Sequence, residues 1–146
     1  MQVDGSYEFD APRAKVWQAL TDPDALARAA PGVESLEEES EDRFRATLKL
    51  NVGPVSGTFE GTAEIRDRTE QEALTLYMQG EGGPGGVEAT GHIQLADQNG
   101  GTKLDYTGDA QITGTLAGVG GRLVGSVAKK LANQFFQQIE KEAQAL

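Results

Sequence analysis

The chain has 146 residues, a formal net charge of −10 and no cysteine. That length suits one domain able to bury a core without staples, and the missing thiols exclude disulfides and thiolate metal sites and favour a reducing, cytoplasmic compartment. The acidic balance argues against nucleic acid, whose phosphates demand clustered Lys and Arg, no stretch approaches the ~20 apolar residues of a membrane span, and the opening MQVDGSYEFD has no basic-then-apolar leader.

Residues 2–9 alternate Val3, Gly5, Tyr7 and Phe9 with polar neighbours, which predicts a strand. Asp10 is the expected cap of a short helix with Pro12 in its first turn and Val16, Trp17 and Leu20 on one face. Asp22 and Pro23 start a second short helix that Pro31-Gly32 stops. From residue 33 to residue 113 the chain reads as consecutive strands. Glu37–Glu39 with Glu41-Asp42 reads as a solvated charged turn between two of them. Phe44, Ala46, Leu48 and Leu50 alternate with polar residues, and the same period runs from Val55 through Gly57, Phe59, Gly61 and Ala63 to Ile65. It continues through Leu74, Leu76 and Met78, then Val87, Ala89, Gly91, Ile93 and Leu95, then Leu104, Tyr106, Gly108, Ala110 and Ile112. Gly53-Pro54, Asp67–Glu72 and Asn99-Gly100-Gly101 are the turns, and connections this short require antiparallel neighbours. Gly80–Gly86 lacks the lysine and the helix of a phosphate loop, and reads as a flexible turn or as a lid over a cavity. Gly118–Gly121 is a flexible approach to the last element. There Leu123, Val127, Leu131 and Phe135 recur every fourth residue, and Val124, Ala128, Ala132, Phe136 and Ile139 widen the stripe. That pattern predicts an amphipathic helix of about 25 residues.

The expected fold is therefore α+β, over residues 1–146 as a single domain. A curved antiparallel sheet of about seven strands wraps around the long C-terminal helix, with two short helices after the first strand. Gly57, Gly61, Ala63, Ala89, Gly91, Gly108 and Ala110 are small residues on its inner face. They allow sharp bending, leave space between sheet and helix, or both. The expected cavity is apolar and binds a hydrophobic small molecule. Its walls are Phe44, Leu48, Phe59, Leu76, Met78, Tyr106, Leu116, Val119, Leu123 and Val127, with the Tyr106 phenol as the polar handle. Strand alternation puts the lone His92 on the outer face. With no converging ligand set and no inward acid, neither a metal site nor a catalytic residue is assigned.

Several stretches occur here in order and at consistent spacing. They are the opening strand into Asp10-Ala11-Pro12, Val16-Trp17, Asp22-Pro23, Pro31-Gly32-Val33, the segment Val52–Gly61 (VGPVSGTFEG), Gly101–Tyr106 and Thr113–Gly120. In these the chain resembles the CoxG family of carbon monoxide dehydrogenase subunits, within the START/SRPBCC-like helix-grip superfamily. The resemblance implies a helix-grip domain with a ligand cavity and no intrinsic cofactor. It implies an accessory role beside a molybdenum-containing carbon monoxide dehydrogenase or related hydroxylase, carrying a quinone or lipid or assisting transient contact with the inner face of the membrane. Two other readings stand beside it: a cyclase or hydrolase working in the same cavity, and an assembly factor with a filled core and an acidic binding face.

Overall fold

The computed structural model describes all residues 1–146. Its elements are β1 (Gln2–Phe9), α1 (Arg13–Leu20), α2 (Pro23–Ala29), β2 (Val33–Ser40), β3 (Arg43–Val52), β4 (Val55–Thr69), β5 (Ala73–Gly82), β6 (Gly85–Gln98), β7 (Gly101–Ile112), a 3-10 turn (Gly114–Val119) and α3 (Gly121–Gln144). All seven strands form one antiparallel sheet in the order β1-β7-β6-β5-β4-β3-β2. The two short helices carry the chain from one edge to the other, and every later strand pairs with its predecessor. Register puts like with like: Phe44, Ala63, Met78, Ala89 and Ala110 lie in one row across five strands of the inner face. This is the helix-grip arrangement, a curved sheet around a long C-terminal helix.

Local chemistry sets the connections, with two departures from expectation. Asp22 caps α2 by accepting the Asp24 N–H at 3.3 Å, but Asp10 does not cap α1. Pro12 occupies the N-cap position with extended backbone, and the Asp10 N–H donates instead to Glu140 at 2.8 Å. Of the two readings of Gly80–Gly86, the structure shows the turn. Gly82 pairs with Gly85, which leaves only Gly83-Pro84 as a tight turn, and the Pro84 carbonyl accepts the Leu116 N–H at 2.9 Å. Glu37–Glu39 belong to strand β2, and only Glu41-Asp42 turn the chain. Asn99 and Gly100, with φ of 50° and 82°, make the expected two-residue hairpin between β6 and β7.

The core divides in two. The larger cluster joins Phe9, Trp17, Leu20, Phe44, Ile93 and Leu104 to Phe136 and Ile139 of α3. The smaller joins Val55, Phe59 and Leu116 to Val127. Val127 and Phe136 are about two and a half turns apart, so they point to opposite sides of the helix, yet both are buried. Different sides of α3 are therefore gripped at its two ends. Polar ties fix the C-terminal end. The Tyr7 hydroxyl donates to Glu140 at 3.2 Å, and Arg28 of α2 donates to Glu142 at 2.6 Å. Thr102, the one buried polar residue, donates to the Ala11 carbonyl at 2.8 Å. No helix is long and apolar enough to cross a membrane.

Two outcomes follow from this packing. Ile139, fully buried, and Leu123, 55% exposed, sit on the same helix; Ile139→Ala is expected to cost about 2–5 kcal/mol in denaturant unfolding, and Leu123→Ala to stay within about 0.5 kcal/mol. The Arg28 hydrogen bond holds the Glu142 carboxyl below its ordinary range. A lowered folded pKa means that this contribution is present above the unfolded carboxylate pKa and is lost as pH falls through the folded one. Glu142→Gln should thus lower stability at neutral pH by about 0.2–1 kcal/mol, and its melting curve should converge on the wild type as pH drops below about 4.

Candidate functional site

The helix face that meets β1 carries Ala132, Phe136, Ile139 and Ala143 along the C-terminal half of α3. Followed toward the N-terminus at helical spacing, the same line reaches Gly125 and Gly121. There the side chains stop. A Cβ added at either glycine would meet nothing within 4 Å. The opposing sheet is equally bare. A Cβ at Gly108, or at its register neighbour Gly91, would meet only backbone oxygens at 3.7–3.9 Å. Between these surfaces lies an open hollow of about 730 Å³, within the usual size range of small-molecule sites. It is bordered by Gln2–Asp4 of β1, Thr107–Asp109 of β7, Thr90 and His92 of β6, and Gly121, Arg122, Gly125, Ser126 and Lys129 of α3.

The inner glycines thus divide by purpose. At Gly61 and Gly82 a side chain would collide with the carbonyls of Gln79 and Thr58, so these permit close approach in a strongly bent sheet. The Tyr106 ring covers Gly5. Gly91 and Gly108 leave space. Both meanings of the small residues are realised, at different positions.

The expected wall residues separate likewise. Phe44 is buried in the larger cluster, and Phe59, Leu116 and Val127 fill the smaller. Leu116 therefore anchors the 3-10 turn in the core. Leu48, Leu76, Tyr106 and Val119 are half-buried. Met78 shares a row with buried Phe44 but is 41% exposed, and Leu123 is 55% exposed. None of the ten borders the hollow, whose apolar contribution is Val3. Register nevertheless connects the two regions: Val3, Gly108, Gly91 and Leu76 form one inner row, directly beside the row holding Met78. Leu76 and Met78 thus lie on β5, one strand beyond the β6 border of the hollow, with Leu76 packed against the larger cluster.

Tyr106 packs against Phe136 with ring centroids 5.5 Å apart and the planes tilted by 47°. Burial first, and then the Asp4 charge, push its phenol pKa up. It therefore stays protonated and able to donate. A second inward phenol, Tyr7, was not among the expected site residues. Its pKa is raised by burial and by Glu140, whose carboxylate is engaged by both Tyr7 and Asp10; that group ties β1 to α3. His92 lies on the outer face with its Nδ1 3.0 Å from the Thr75 hydroxyl. No group of three or more His, Cys, Asp or Glu side chains is placed to hold a metal ion. Sequence reasoning assigned none of the border residues to the site, missing Gln2–Asp4, Thr90, Thr107 and Asp109 on the sheet and Gly121, Arg122, Gly125, Ser126 and Lys129 on α3. Gly125 was the available signal, because a glycine inside a long helix costs roughly 1 kcal/mol against alanine.

Comparison with known proteins adds to this geometry. The model of the CoxG family of carbon monoxide dehydrogenase subunits matches residues 5–144. A conserved protein from Geobacillus kaustophilus is 36% identical over 99% of this chain and 96% of its own, with a TM-score of 0.95. Ara h 8.0201 is 18% identical over 100% of this chain and 99% of its own, with a TM-score of 0.72. A protein from Thermus thermophilus is 18% identical over 99% and 98%, with a TM-score of 0.71. These last two likenesses show the shared fold. No curated protein matches in sequence. Matched over nearly its whole length by the family model, the chain belongs to the CoxG family of carbon monoxide dehydrogenase subunits.

Proposed function

We propose that this protein is a non-enzymatic accessory domain that holds a hydrophobic molecule, a quinone or lipid, for a molybdenum-containing carbon monoxide dehydrogenase or a related hydroxylase. One observation carries the ligand reading: on the inner face Met78 is 41% exposed and Leu76, packed on the larger cluster, is half-buried, both on the strand next to the β6 border of a hollow of about 730 Å³. Side chains on the inside of a closed domain are ordinarily covered, and leaving them open forgoes about 25 cal/mol per Å² of apolar surface. An apolar guest would recover that loss. The family supplies the enzyme partner, and the helix-grip fold is compatible with a guest between sheet and helix. Tyr106, raised in pKa and packed against Phe136 at the inner face, is the natural donor to a ligand oxygen. Transient contact with the membrane during exchange of the guest belongs to the same proposal.

The test begins with what the protein carries. Purified under gentle conditions from its native cells and analysed by native mass spectrometry and solvent extraction, it should hold an apolar molecule. Ala89→Phe, placed beside Met78 and Ala110, should fold and come out empty. Repeated isolation of wild type without any such guest would remove the basis of the reading. Once a guest is known, Tyr106→Phe should weaken its binding by about 3- to 10-fold, the worth of one hydrogen bond, without lowering the melting temperature.

A further inference from the structure

Arg122, Ser126 and Lys129 edge the hollow from one side of α3, a stretch of about 10 Å along the axis. Every arginine but Arg122 is neutralised. Arg13 meets Asp97, Arg28 meets Glu142, Arg43 and Arg45 meet Glu39, Arg66 meets Glu64 and Arg68 meets Asp42. Arg122 and Lys129 take part in no ion pair, and α3 carries no acid from Gly121 to Ile139. Lys15, Lys49, Lys130 and Lys141 are also outside any ion pair, so Lys129 is distinguished by its place at the hollow and Arg122 by being the one arginine without an acidic partner. Two acids border the hollow from the sheet, Asp4 and Asp109. Both occupy strand positions whose side chains alternate to the outer face, and Asp109 lies 3.8 Å from the N-terminal amine. The sheet side thus presents mainly backbone, and the helix side presents positive charge.

Gly125 keeps this wall open. It sits inside a regular helix where alanine would be favoured, and nothing in the protein would obstruct a side chain there. From the cationic edge the floor runs in register from Gly108 through Gly91 to Leu76, with Met78 in the adjoining row. A charged mouth joined to an apolar strip fits one chemical class. We infer that the hollow receives the anionic head, a phosphate or carboxylate, of a single-chain amphiphile whose tail lies over Gly91 toward Leu76 and Met78. This rests on the hydrophobic-ligand reading above and adds to it the charge and the position of the head.

Calorimetric titration of the intact chain with decyl phosphate, decanol and inorganic phosphate, each below any micelle concentration, tests it. Decyl phosphate should bind at least about tenfold more tightly than decanol, as expected for charge-assisted hydrogen bonds. The advantage should shrink with added salt and vanish in Arg122→Gln/Lys129→Gln. Gly125→Leu should raise the melting temperature and weaken decyl phosphate binding, which separates blocking the hollow from damaging the fold. Equal binding of decanol and decyl phosphate overturns the anionic head and leaves the hydrophobic-ligand reading standing. Inorganic phosphate binding as tightly as decyl phosphate overturns the amphiphile, since the tail then contributes nothing. A phosphate preference that survives the double substitution removes Arg122 and Lys129 from the site and overturns the assignment. If neither decyl compound binds, the anionic amphiphile is overturned, while the hydrophobic-ligand reading falls only if the protein isolated from its native cells also carries no apolar molecule.

Discussion

Val127 and Phe136 point to opposite sides of α3, and both are buried. A helix can do this only inside a sheet that curls far enough to touch it from two directions. Phe136 meets Tyr7, Phe9 and Tyr106, with ring centroids 5.8, 6.2 and 5.5 Å away. Val127 meets Val55, Phe59 and Leu116 across the other side. The sheet must therefore be bent, and the bend depends on positions such as Gly61 and Gly82, where strands approach too closely for a side chain. The gripping helix and the glycines that allow the grip are parts of one constraint.

A space between the two gripped ends follows from the same geometry. One helix, about 10–12 Å across with its side chains, cannot fill a seven-stranded curl. At the C-terminal end α1 and α2 add side chains and complete a core around Trp17, Leu20 and Ile139. At the N-terminal end only the 3-10 turn adds cover, through Leu116 on the Val127 side, and on the side facing β1 and β7 α3 itself loses its side chains at Gly121 and Gly125. The protein gives up helix propensity and apolar burial there. Such local concessions, in a chain otherwise consistent from propensity to packing, are where binding is expected.

Charge is distributed in keeping with that division. The outer face carries exposed pairs such as Arg43–Glu64 and Arg66–Glu64, and Arg66 also lies over the Tyr77 ring at 4.5 Å. Exposed pairs of this kind add little stability, and most acids of the sheet, Glu37, Glu38, Glu60, Glu81 and Glu88 among them, have no cationic partner, so the sheet exterior is acidic. The N-terminal half of α3 is different, with cations and no acids. For a member of a family named for a subunit of carbon monoxide dehydrogenase, a hollow with a distinct polar edge and an apolar floor makes the helix side of the domain its functional side.

The amino-acid sequence determined the elements and their partners. Alternation at Val55–Ile65 or Leu104–Ile112 has a period of two, which assigns each side chain to a face whatever surrounds it. Turns such as Asn99-Gly100 allow only adjacent antiparallel strands, so the sheet order was legible, as was the amphipathic character of α3. Burial around that helix was not. Its apolar stripe is broad, and periodicity cannot say which part of a broad stripe meets the sheet. Leu123 and Val127 look equivalent in sequence, yet one is exposed and the other buried. Nor could sequence separate glycines that bend the sheet from those that leave room. That distinction is a distance to atoms on another strand or helix, and only the tertiary structure brings those atoms together. For the same reason Lys129 reads as a solvated surface residue in one dimension and becomes the edge of a hollow in three.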